Sequence, residues 1–178
     1  ATFAMTPTPW SSNFLPLGSI LISELLSHSD PPLMDAVELQ NVSLNAVDIG
    51  GWFLSDSSAN LRKFQIPAKT LISAGGFLVF YEDQFNRPGG INEPFSFSSV
   101  HGEEVFLSQA INGTLTGYRA SAAFGPAENG VSFGRFPTSQ GFHFVAMAQR
   151  TFGKDNPATT NEFKLGGGAV NPYAKVSP

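Results

Sequence analysis

Residues 20–26 read ILISELL, residues 35–41 read DAVELQN, and residues 46–54 read AVDIGGWFL. In the first run Ile20, Ile22 and Glu24 alternate with Leu21, Ser23 and Leu25. In the second, Val37 and Leu39 alternate with Glu38 and Gln40. Apolar side chains recurring every second residue specify half-buried antiparallel strands rather than helix. Working outward, further strands are expected near 61–66, 76–82, 103–108, 114–119, 130–136 and 142–147. Between them fall turn signals such as Asp30-Pro31-Pro32, Pro88-Gly89-Gly90 and Asn112-Gly113. Asn112-Gly113 is the strongest of these, because both residues accept the positive φ of a type I′ hairpin turn. No window carries a helical apolar stripe, so the chain reads as all-β.

Two local expectations follow. Strand 76–82 is apolar on both faces, with Phe77, Val79 and Tyr81 on one and Leu78 and Phe80 on the other, so it reads as a central strand covered on both sides. In the third run a β-bulge at Gly50-Gly51 would switch side-chain parity and turn Trp52 into the core. The core is then expected to include Ile22, Leu39, Trp52, Leu54, Val79 and Phe133.

With 178 residues the chain is sized for a single domain that buries roughly 68–70% of its unfolded surface. Its 17 Phe suit two facing sheets that need bulky filling. A net charge of −4 with 10 basic residues argues against a nucleic-acid partner. No apolar run reaches the roughly 18 residues of a membrane-spanning helix, so no membrane insertion is expected. Zero cysteines exclude disulfides and thiolate metal sites.

The three opening runs, together with GGFLVF at Gly75–Phe80, resemble the lamin tail domain: ISEL, then D-x-V-E-L-x-N, then V-D-x-x-G-W-x-L-S-D. The back half, VFLSQAINGTLTGY and GVSFGR, is similar more loosely. Ala36 stands where the family usually has an aromatic, and Gly50 where serine usually precedes Gly-Trp. The resemblance implies an immunoglobulin-like antiparallel β-sandwich and brings no catalytic residues with it. It is accompanied here by an extended N-terminal arm (1–19) and a Gly/Pro-rich C-terminal linker or arm (150–178) around a sandwich spanning 20–149. It further implies a non-catalytic association module of a secreted or cell-surface, bacterial protein. That module would join other copies of itself or neighbouring domains through its arms, even into a filament, with Trp10 and Phe14 as arm anchors. The alternative is a ligand-binding accessory to a larger extracellular enzyme, stacking carbohydrate or another polymer on Trp10, Tyr81, Phe85, Phe95 and Phe97.

Other motifs weigh less. Gly130-Val131-Ser132-Phe133-Gly134 matches the G-x-S-x-G nucleophile elbow, but strand and turn follow it rather than a helix, so Ser132 is expected to be inert. His28, His101 and His143 lack metal-ligand spacing. No cofactor is expected; the weak calcium candidates are Asp30, Asp35 and Asp56, which form no dense D-x-D-x-D run. Asn41-Val42-Ser43 and Asn112-Gly113-Thr114 are glycosylation sequons.

Overall fold

In the computed structural model, which describes residues 14–89, 92–139, 141–157 and 162–163, the opening runs pair with one another. Strands β2 (Ile20–Leu26) and β3 (Ala36–Asn41) are antiparallel neighbours in a five-stranded sheet. That sheet runs in the order β12 (Gly141–Ala146), β11 (Ser132–Thr138), β2, β3, β8 (Phe77–Tyr81). A second sheet of five runs β1 (Leu15–Pro16), β10 (Thr114–Phe124), β9 (Glu103–Ile111), β5 (Phe53–Ser55), β6 (Phe64–Gln65). The two pack through one apolar core, the β-sandwich anticipated from the alternation. A short ribbon of β4 (Val47–Asp48) and β7 (Leu71–Ile72) stands beside them.

The expected strand 46–54 is in fact two strands with a turn between. Trp52 N–H donates to the Ile49 carbonyl at 3.1 Å, and Gly51 sits at φ +82°. A Cβ on Gly50 would come within 2.6 Å of the Lys69 backbone nitrogen. The glycine pair therefore makes a crossing from the ribbon into the second sheet, not a bulge within one strand. Trp52 is buried all the same, as are Ile22, Leu39, Leu54 and Phe133.

The bulge lies elsewhere. Between Ile22 and Glu24 the β2–β3 register shifts, so that Ile20, Ile22 and Leu25 all reach the core. Unbroken alternation would have carried Glu24 inward with Ile20 and Ile22. The extra residue instead turns Glu24 to the outer face, opposite Glu38.

Val79 departs from expectation. Among the described residues β8 is the edge strand of its sheet, paired with β3 alone, and Val79 is half-buried. Of its five residues only Phe80 is buried. A doubly apolar strand thus closes a sheet edge, and it is followed at once by a one-turn helix, α1 (Glu82–Phe85), that the sequence reading lacked.

The hairpin between β9 and β10 turns at Asn112 (φ +50°) and Gly113 (φ +75°), both in the left-handed region as a type I′ turn requires. After β12 the chain does not leave the sandwich. Met147 bridges to Phe163, and residues 148–157 lie across the outer face of β11, β2 and β3. This strap includes residues 150–157, which composition alone sets apart as linker.

Candidate functional site

The strap is held by two carboxylates with no solvent exposure. Glu24 and Glu38 face each other across β2 and β3, on the side of the sheet away from the core. Glu24 accepts from Thr151 Oγ1 at 2.7 Å and from the Thr151 backbone N–H at 3.0 Å. Glu38 accepts from Ser23 Oγ at 2.7 Å and from the Gly153 backbone N–H. Asn156 Nδ2 donates to the Ser23 carbonyl at 2.7 Å, and Gln40 Nε2 donates to Asp155 at 2.9 Å.

Desolvation is the largest influence on both acids and pushes their pKa values up; the hydrogen bonds from the strap pull the other way without cancelling it. Ser132 Oγ is buried beside Glu24, and of the polar groups around that acid it does most to favour the charged form, ahead of Thr151. Gly134, the last residue of the G-x-S-x-G run, passes directly beneath Met147 and Asn156, where a Cβ would collide with the Met147 sulfur and crowd Asn156. The run is therefore a packing seat for the strap. It lies on a strand with no helix after it, and no histidine hydrogen-bonds to Ser132 among the described residues.

The three aspartates are not brought together. Asp30 accepts from the Asn129 side chain. Asp35 accepts from Ser29 Oγ at 2.8 Å, and burial raises its pKa to about 6. Asp56 pairs with Lys63 at 2.7 Å. Among the described residues no group of three or more His, Cys, Asp or Glu gathers as a metal site. His28 Nδ1 lies 2.9 Å from the Ala127 carbonyl; since a carbonyl only accepts, that nitrogen carries the proton. Asn41 is fully buried and donates to the Asn45 and Ile72 carbonyls, so its sequon is structural, whereas Asn112 is exposed at the hairpin tip.

The aromatic loop is also not what its composition suggests. Phe85, Phe95 and Phe97 are buried, with Phe85 and Phe95 stacked at 4.7 Å between centroids. The chain of rings continues through Phe97 and Phe124, 5.6 Å apart, to Phe133. These side chains are core, whereas Tyr81 is exposed. A platform for sugar rings is not formed by them.

Two features do face outward in an organised way. The first is the N-terminal segment. Leu15 and Pro16 run parallel to β10, opposite Tyr118 and Arg119, and Leu17 N–H donates to the Arg119 carbonyl at 3.1 Å. The Arg119 guanidinium lies 3.5 Å from the Phe14 ring centroid and 4.8 Å from that of Phe106, so the cation is held between two phenyl rings. Phe14 thus anchors the segment to its own domain; Trp10 lies outside the described residues.

The second is a cavity of about 300 Å³ at the seam between the sheets, where β10 and β12 approach without pairing. Ser121, Ala122 and Ala123 line it from one side, and Arg135 with Phe142, His143 and Phe144 from the other. Neither the small residues of β10 nor the acid pair under the strap was marked by the sequence. Alternation alone does mark Arg135, two residues from Phe133 on the same face.

Comparison with known proteins agrees with this architecture. The family model described as Lamin Tail Domain matches residues 16–124, and the chain belongs to that family. No curated protein and no solved structure matches it.

Proposed function

From membership of the lamin tail domain family, an immunoglobulin-like and generally non-catalytic fold, we propose that the chain is an association module. It joins copies of itself or neighbouring domains, within a secreted or surface-attached protein. The observation that carries this reading is the segment Phe14–Leu17, laid as a parallel strand on β10 and fastened by Arg119. A sheet edge that accepts an extended segment from one chain can accept the same segment from another. Head-to-tail contacts of this kind do not close on themselves and so can propagate.

Deleting residues 1–18 and measuring mass in solution by sedimentation tests the proposal. A full-length chain that self-associates and a truncated one that stays monomeric support it. An unchanged mass with lowered stability would leave the segment as a brace within its own domain. Placement outside the cell rests on the family resemblance and is checked by fractionating the source cells and locating the protein with an antibody. The ligand-binding alternative draws no support from the aromatics of residues 85–97, which are enclosed in the core.

A further inference from the structure

The seam cavity contains a half-buried cation at the margin of the sandwich. Along β11 Arg135 follows the core residue Phe133 on the same face, and along β12 Phe142 follows Ala146 and Phe144, so that both stand where this face leaves the core for solvent. Arg135 is paired in register with Phe144, and its guanidinium lies 4.0 Å from the Phe142 ring centroid. Opposite stand Ser121, Ala122 and Ala123 of β10, too short to fill the space that a larger side chain would close. Among the described residues no carboxylate pairs with Arg135. Its pKa is lowered by desolvation alone, with no neighbouring acid to offset it. Among the described residues both bordering strands leave part of an edge unpaired: β12 pairs with β11 alone, and β10 is joined by β1 at Tyr118 and Arg119.

We propose that this cavity is a docking site for an acidic side chain carried on an extended peptide, its carboxylate received by Arg135 and its stem by Phe142 and Ala122. A guanidinium presents a planar fork of donors that a carboxylate matches in two parallel hydrogen bonds. Partly withdrawn from water and, among the described residues, met by an aromatic face and by no carboxylate, it gains more from an incoming anion than an exposed cation would. The free edges of β10 and β12 give the flanking backbone somewhere to pair. The site deepens the association reading by naming a surface and a partner chemistry, but it does not depend on self-assembly.

The test is an amide NMR titration of the full chain with acetyl-Thr-Val-Glu-Val-Thr-amide, its Glu-to-Gln counterpart, and inorganic phosphate. The Glu peptide is expected to shift amides at 121–123 and 141–144 in a saturable way. The Gln peptide should bind at least tenfold more weakly. Arg135→Met should abolish the effect and Arg135→Lys should weaken it. Phe142→Ala, at a mostly exposed position that leaves the core intact, should weaken it severalfold. Equal binding of the two peptides, or unchanged binding by Arg135→Met, would overturn the proposal. Phosphate saturating the same amides as strongly as the Glu peptide would overturn it in favour of a free-anion site. Sedimentation of Arg135→Met separates the two readings: lost peptide binding with unchanged mass leaves self-association standing. A titration that fails, beside a truncation at residue 18 that alters mass, defeats only the cavity.

Discussion

Asp35 shows what one buried acid does to this fold. Burial, reinforced by the nearby charge of Glu82, raises its pKa from 3.8 to about 6, although Ser29 and His28 favour the charged form. A folded pKa above the unfolded one gives stability that is complete below about pH 4 and lost as pH rises through about 6. Asp35→Asn should therefore raise the thermal midpoint at pH 7 and leave it nearly unchanged at pH 4; equal effects at both values would contradict the assignment. Trp52 works through volume instead. Trp52→Ala should destabilise by about 3–5 kcal/mol in urea unfolding, because the cavity it leaves lies between two sheets that cannot collapse onto it. Ile22 and Leu39 were readable from alternation, whereas Trp52 reaches the core through the turn at Gly50-Gly51 and not through the bulge expected there. Val79 was not readable, because apolar residues on both faces of a strand look the same whether its edge is paired or free. Phe85, Phe95 and Phe97 were misjudged for a related reason: a Pro/Gly-rich loop reads as surface, yet its rings turn back into the core.

At the scale of elements, the strap depends on a pair of acids that the sequence left unremarked. Glu24 and Glu38 sit in different strands, and only the bulge between Ile22 and Glu24 sets them side by side beneath Thr151 and Gly153. Sequence alone marks neither the bulge nor the return of residues 148–157, since both depend on contacts between distant segments. Both acids have raised pKa values, so the stability they confer is greatest at low pH and declines as pH rises through their folded values. Glu24→Gln should retain amide protection at Thr151 and flatten its pH dependence, whereas Glu24→Ala should lower protection there at least tenfold in hydrogen exchange. A Glu24→Ala strap as protected as the native one would remove the carboxylate from its role. The same geometry bears on Ser132. Ser132→Ala should leave any hydrolysis of a simple ester at background, and a loss of measurable activity in that variant would revive the nucleophile reading.

Across the whole molecule, the alternation in three short runs was enough to fix an antiparallel sandwich, because strand periodicity is local and survives without tertiary information. The order of strands, the ribbon of β4 and β7 and the seam between β10 and β12 depend on long-range pairing and were not legible. Truncation at residue 18 acts at this scale, where mass in solution distinguishes a brace from a linkage. The parallel seating of Phe14–Leu17 has a mechanical consequence as well. The chain passes from β1 in one sheet to β2 in the other within the few residues between Pro16 and Ile20. Tension entering through Phe14 therefore loads the bonds to β10 along the strand axis, so that they resist together as in shear rather than open one after another like a zip. A pull on this end is taken first by Arg119 and its two rings, and the sandwich behind them feels it only after that clasp has slipped.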